Sequence, residues 1–212
     1  MILGIGGGKG CGKDTVADIL IKHYNYRKIS WADPLKEMLS EALNIPLNEF
    51  YDRTKDDIRA VEINAEEAGK LLDLITESYG ELENYTNLRL ELQNTKYESL
   101  RDLMQRFGTE FGRRKIDPEI WIKLTKNRVN PGDLLIFPDV RFKGEFDAIK
   151  ELGGFMMKIN RDLDNQDSHE SENLDIPDSE FDFLVDNNAC LSSLHSDIIL
   201  FHRLRFPEIE RV

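Results

Sequence analysis

Two apolar periods share this chain. Short runs at Met1–Ile5, Arg27–Trp31, Leu134–Phe137, Phe155–Ile159 and Phe181–Val185 have the length and residue content of strands. Between them, apolar residues recur at helical spacing. Val16, Ala17, Ile19, Leu20 and Tyr24 predict a helix over Gly12–Tyr24. Asp33-Pro34 reads as an N-cap with proline at the first helical position, opening a helix through Leu35, Met38, Leu39 and Leu43. Ala65, Ala68, Leu71, Leu72 and Ile75 mark another, stopped at Gly80. Leu100, Leu103, Met104, Phe107 and Phe111 predict one long helix after Tyr97, and Asp117-Pro118 starts the next, through Trp121 to about Val129. Gly144–Leu152 and Leu191–Leu204 complete the set.

Strand–helix alternation points to a three-layer α/β fold around a parallel sheet of about five strands. The acidic stretch 51–96 breaks the alternation and reads as a helical insertion or flap within a single domain, 1–212. Residues 161–178 are polar and without period, as in a lid-like loop. Ligands of such sheets bind beyond the carboxyl ends of the strands, where Gly7–Thr15, Asp139 and Arg161 all fall.

Composition narrows the partners. The chain has 212 residues, 40% of them apolar, enough for one well-formed core. A net charge of −12 argues against a nucleic-acid or anionic-membrane surface, either of which needs a basic face. Neither a signal peptide nor an apolar run of membrane-spanning length is visible. The two cysteines, Cys11 and Cys190, give no disulfide framework, so a reducing cytoplasm is the simpler expectation.

The chemistry concentrates in GGKGCGKDT, Gly7 to Thr15, between the first strand and the first helix. Gly7, Gly10 and Gly12 let the backbone turn its N–H groups inward around anionic oxygens, and the helix N-terminus adds its dipole. Lys13 can reach the β- and γ-phosphates of a nucleoside triphosphate, with Lys9 a second nearby cation. Asp14 stands where a phosphate loop usually has the Mg²⁺-binding Ser or Thr, and Thr15 follows, so either residue could hold the ion. Cys11, beside a helix N-terminus, is expected to have a lowered pKa without needing a catalytic role.

Further candidates each carry a blander reading. Asp139 ends a strand in LLIFPDVR, as a metal-binding acid would, and Arg141 could clamp a second phosphate. Equally, Asp139 could cap the next helix while Arg141 pairs with it or with Glu145. Arg101, Gln105 and Thr109 lie four apart on one helix face, able to hold a phosphate and read a base edge, or simply to face solvent. Gly108 weakens that helix, which suggests a break or a close backbone approach to ligand. Trp121 could stack on a base but sits among isoleucines, as core residues do, and His169 among acids reads as a solvated turn.

Five blocks in order, GCGKDTVADIL, WADPLKEML, LRDLMQRFGTEFGRR with Trp121 downstream, FPDVRFKGEFDAIKELGG, and HESENLD followed by VDNNACLSSL, resemble the bacteriophage deoxynucleoside monophosphate kinases. They cover most of the chain, 51–96 excepted. The resemblance implies a P-loop kinase fold and ATP- and Mg²⁺-dependent phosphorylation of deoxynucleoside 5′-monophosphates to diphosphates, as dNTP precursor synthesis for phage DNA replication in a host cytoplasm. It implies that Lys13, Asp14 and Thr15 handle the ATP phosphates and metal, with Asp139 a further metal ligand. Arg101, Gln105, Gly108, Thr109 and Trp121 would line the monophosphate pocket, with Asp33 on the acceptor side. Asp139, Arg141 and Glu145 would sit between the nucleotides, and Arg161 would close as a lid arginine. The family further suggests a homodimer. Where the family carries a basic residue and a serine before the second glycine, this chain has Gly10 and Cys11.

Two rivals stand beside this expectation. The same architecture serves kinases of dephospho-coenzyme A or phosphomevalonate, separable by testing acceptors. A nucleotide-dependent switch would bind ATP or GTP with no acceptor effect, but the Asn-Lys-x-Asp base-reading element of GTP switches is absent.

Overall fold

A computed structural model describes residues 1–52, 59–162 and 176–212. In chain order, its elements begin with β1 (Ile2–Gly6), α1 (Lys13–Tyr24), β2 (Arg27–Lys28), α2 (Asp33–Leu43), β3 (Val61–Ile63) and α3 (Ala65–Tyr79). There follow α4 (Tyr85–Leu92), β4 (Thr95–Tyr97), α5 (Leu100–Arg106), a π-helical segment (Phe107–Ile116) and α6 (Ile120–Lys126). The chain closes with β5 (Leu135–Phe137), α7 (Lys143–Glu151), β6 (Phe155–Asn160), β7 (Phe183–Asp186) and α8 (Leu191–Arg205). The chain forms two compact units, one of Met1–Ser30 with Val129–Val212, the other of Trp31–Arg128.

The first unit holds a parallel five-stranded sheet in the order β2-β5-β1-β6-β7. β1 is central and buried along its whole length, which is why MILGI is a continuous apolar run rather than an alternating one. Leu3 and Ile5 join Val16 and Leu20 of α1 and Leu194 and Ile198 of α8 in one core on one face of the sheet. From the other face α7 packs on β1 and β6, bringing Ile149 against Gly4 and Met156. The expected α/β/α layering with five parallel strands is present. Of the strand expected at Arg27–Trp31, only Arg27–Lys28 is regular, with one further ladder bond from the Ile29 N–H to the Ile136 carbonyl at 3.0 Å.

The second unit is mainly helical, with an antiparallel β3–β4 pair. Its core joins Leu35 and Leu39 of α2, Leu71, Leu72 and Ile75 of α3, Leu103 of α5, Phe107, and Trp121 of α6. Within 51–96, read as an insertion, the described residues Ile63, Ala68, Leu71, Leu72, Ile75, Leu88 and Leu92 share this unit's core. Asn64 caps α3 in a reciprocal box with Glu67, and Gly80 ends the helix at φ 118° as expected. α2 starts one residue earlier than expected: Ala32 is the N-cap and Asp33 the first helical residue.

The larger correction concerns the helix expected from Leu100 to Phe111. α5 ends at Arg106 and the chain continues with i→i+5 hydrogen bonding, as in the Asp117 N–H to Gly112 carbonyl bond of 3.0 Å. The apolar positions expected for one continuous α-helix are thus carried on two backbone types, while Arg101, Gln105 and Thr109 are all exposed. No helix among the described residues is long and apolar enough to cross a membrane.

Candidate functional site

β1 delivers the chain into the glycine loop at the carboxyl edge of the sheet. Gly7, Gly10 and Gly12 all have positive φ, at 136°, 75° and 108°. A Cβ on Gly7 would lie 2.5 Å from the Ile159 carbonyl oxygen, and one on Gly12 2.5 Å from Asn187 Nδ2. The loop therefore packs against the ends of β6 and β7 in a way that glycine alone permits. Gly12 is the N-cap of α1 and supplies no side-chain cap, so the first-turn N–H groups of a 12-residue helix lack that internal acceptor. Lys13 Nζ folds back to donate to the Gly7 and Gly8 carbonyls, 2.8 Å each. Lys9 and Gly10 are exposed at the crest, and Thr15 is half-buried.

Cys11 differs from expectation. Its side chain is buried at 2% exposure, and burial pushes the thiol pKa up, opposed to a lesser degree by the charges of Lys13 and Arg161. Desolvation outweighs the helix terminus. The thiol fills space beneath Gly7.

Around the loop, the first unit brings several expected residues together. Asp14 is exposed and paired with Lys28 at 3.0 Å. Arg141 folds onto Asp139, with Nε at 2.8 Å and Nη2 at 2.7 Å from the same carboxylate oxygen, Oδ2. Glu145 is buried and accepts from the backbone N–H of Arg141 at 2.8 Å and of Phe142 at 3.3 Å. It thus fixes the turn carrying Arg141. Arg161 is exposed just past β6, near enough to Cys11 for its charge to act on the thiol. Most of the lid-like stretch, 163–175 with His169, lies outside the described residues.

In the second unit, Asp33 accepts from the Tyr51 hydroxyl at 2.7 Å, and Lys36 lies 3.8 Å over the Tyr51 ring. Partial burial and this bond push the Tyr51 phenol pKa up. Arg101 and Gln105 are exposed on α5, and Thr109 is exposed on the π-helical segment. Gly108 is buried; its carbonyl accepts from Trp121 Nε1 at 2.8 Å, and a Cβ there would lie 3.0 Å from Leu35 Cδ2. The close approach expected at Gly108 is made by the protein's own core. Trp121, 3% exposed, belongs to that core with its N–H satisfied, so it shapes the segment from behind instead of offering a face for stacking.

Two residues without an expected role also touch the site. Asn187, just after β7, donates through Nδ2 to the Cys11 carbonyl at 2.8 Å. Asn188 accepts from the Asp162 N–H at 2.8 Å and donates to its carboxylate at 3.0 Å. Their presence in VDNNACLSSL was the available signal, but sequence spacing places nothing near residue 11 from 176 positions away.

Mg²⁺ prefers oxygen donors and commonly keeps waters and substrate phosphates among its ligands. No cluster of three or more His, Cys, Asp or Glu among the described residues forms a protein cage for a metal. Asp14, Thr15 and Asp139 are oxygen donors at or near the surface, a set that fits an ion arriving with its nucleotide.

A parallel sheet whose first strand runs through a positive-φ glycine loop and a lysine into a helix defines a P-loop nucleotide-binding α/β protein. The model of the deoxynucleotide monophosphate kinase family matches residues 1–73 and 58–198, and the chain belongs to that family. It is 26% identical over 230 residues to the deoxynucleotide monophosphate kinase of Enterobacteria phage T4, covering 92% of this chain and 95% of the relative. It is 25% identical over 181 residues to the deoxynucleoside-5′-monophosphate kinase of Escherichia phage T5, covering 71% and 72%. A protein of Acanthamoeba polyphaga mimivirus bearing the same kinase name in provisional form is 28% identical over 216 residues, covering 94% of each.

Proposed function

We propose that this protein transfers the γ-phosphoryl group of ATP to the 5′-phosphate of a deoxynucleoside monophosphate, giving ADP and the deoxynucleoside diphosphate. The observation that carries the reading is the Gly7–Lys13 loop, with three positive-φ glycines and a lysine at the open start of α1. Family membership supports the acceptor class. An oxygen of the acceptor phosphate forms the new bond to the γ-phosphorus as the bond to the β–γ bridging oxygen breaks, and that electron pair leaves on ADP. No general base is needed, because the acceptor phosphate is already anionic near neutral pH.

The chain's task is to position two anions and neutralise charge. Lys13 exchanges the Gly7 and Gly8 carbonyls for phosphate oxygens. Arg141 and Arg161 supply further positive charge, with Asp139 orienting Arg141 and Glu145 fixing its backbone. Mg²⁺ held through Asp14, Thr15 or Asp139 would supply charge neutralisation at the phosphates. On the acceptor side, Arg101 binds phosphate, Gln105 and Thr109 offer hydrogen bonds, and Asp33 works with Tyr51, while Gly108 and Trp121 hold the segment's shape. Such a kinase acts in the cytoplasm, a host's if the gene is viral, and a homodimer is its expected assembly.

The test is ADP release with each of the four common deoxynucleoside monophosphates as acceptor. Stimulation by at least one over the ATP-only rate is expected; no stimulation by any of them overturns the proposal.

A further inference from the structure

Asn187 is buried at 7% exposure at the end of β7. Its backbone N–H donates to the Asn160 carbonyl at 2.7 Å, so the residue is held from the neighbouring strand. Its side-chain amide donates to the Cys11 carbonyl at 2.8 Å and lies 2.5 Å from where a Cβ on Gly12 would stand. The side chain thus meets the loop at the single peptide that joins Cys11 to Gly12.

That peptide is planar and trans, so its C=O and N–H point in opposite directions. Holding the Cys11 carbonyl toward Asn187 turns the Gly12 N–H the other way, and no acceptor for that N–H is present among the described residues. Glycine at position 12 cannot fix the peptide by itself, since it tolerates most backbone conformations. An external anchor has to do so.

We infer that Asn187 is a positioning residue for nucleotide binding: it fixes the Cys11–Gly12 peptide so that the Gly12 N–H donates to the triphosphate. The inference rests on the reading of Gly7–Thr15 as the ATP site. The chemistry is specific to an amide. Leucine of similar volume leaves the Cys11 carbonyl without its donor, and aspartate sets an acceptor against it while adding negative charge beside a bound polyphosphate.

The experiment measures ATP affinity by titration calorimetry, together with KM for ATP and for the monophosphate, in Asn187→Leu, Asn187→Asp and Asn187→Ser. Asn187→Leu is expected to weaken ATP binding about tenfold, with KM for ATP rising in step and KM for the monophosphate unchanged. Asn187→Asp is expected to lose more, and Asn187→Ser, whose hydroxyl keeps a donor, less. A merely structural role would lower the active fraction and leave both KM values in place.

A second readout needs no catalysis. In a Cys190→Ser background, Cys11 of the otherwise unaltered protein should react slowly with a thiol reagent, and Asn187→Leu should raise that rate about tenfold by releasing the loop. ATP affinity and thiol rate both unchanged in the folded Leu and Ser variants overturn the inference. Failure of the parent protein to bind ATP overturns the site reading instead, and a thiol rate raised by Asn187→Leu would still support the anchor.

Discussion

The phosphate loop and the helices proposed to face the acceptor are built on opposite plans. In the loop, the groups offered to a ligand are largely backbone N–H donors, set by three positive-φ glycines and anchored from behind by buried Asn187. On α5 and the π-helical segment, the groups are exposed side chains, Arg101, Gln105 and Thr109, carried on a backbone whose hydrogen bonding changes midway. A backbone site is fixed in shape and generic in ligand, since every nucleotide presents phosphates. A side-chain site can be altered one residue at a time, so selectivity would belong there if the proposed acceptor role holds.

The largest effect should come from the side of the comparison that bears on the chemistry. Lys13→Ala is expected to lower kcat by about a thousandfold or more, because the lysine charge acts on the group being transferred. The monophosphate KM should stay nearly constant. If single-turnover rates fall by less than about tenfold, the transferring group does not depend on Lys13 and the loop is a binding element only.

Gly112→Ala tests whether the second unit is as rigidly specified as the first. A Cβ at Gly112 would lie 2.5 Å from Trp121 Cζ2 and 3.0 Å from Cε2, and an indole cannot bend away. Overpacking of this kind costs about 1–3 kcal/mol, and the Trp121–Gly108 bond would be disturbed with it. A lowered Tm and a raised monophosphate KM, with ATP affinity unchanged, are expected. An unchanged Tm would mean that the segment repacks freely and that Trp121 does not hold its shape.

These two sites also differ in how far the sequence discloses them. GGKGCGKDT is legible because its geometry demands glycine at particular positions, and glycine is a visible letter. The central strands β1 and β5 are legible for a similar reason: burial on both faces writes itself as unbroken apolar runs such as MILGI and LLIF. The change from α to π hydrogen bonding at Phe107 is not legible, since α and π backbones present the same apolar pattern over a few residues. Nor is Asn187, because its role depends on the meeting of residues 11 and 187 at adjacent strand ends. Cys11 shows a third limit: a helix N-terminus argues for a low thiol pKa, but burial, which reverses it, is a property of the folded surroundings.

Arg101→Ala sharpens the selectivity side. Arg101 is an exposed cation on α5, with no ion-pair partner among the described residues to leave orphaned, so its removal should cost little stability. We expect the monophosphate KM to rise about tenfold, the worth of one charge-assisted contact, and ATP affinity to stay as it was. An unchanged monophosphate KM would return this helix face to the solvent and move the acceptor phosphate elsewhere.

The smallest predicted effect separates the units by pH. Residues 31–128 contain no histidine, whereas the first unit buries His202 completely, stacked on Tyr24 at 3.6 Å with Nε2 3.1 Å from the Tyr26 hydroxyl. Burial lowers the His202 pKa to about 4, from an ordinary 6.5. Between those values the unfolded chain binds a proton that the folded chain does not, so this group adds stability that is full above pH 6.5 and is lost as pH falls toward 4. The slope is bounded at about 1.4 kcal/mol per pH unit. Denaturant unfolding at pH 5 and pH 7 should show a smaller difference in His202→Gln than in the parent protein, read on a probe in the first unit. The same difference in both proteins would mean that His202 titrates normally and that the α1–α8 packing around it admits water.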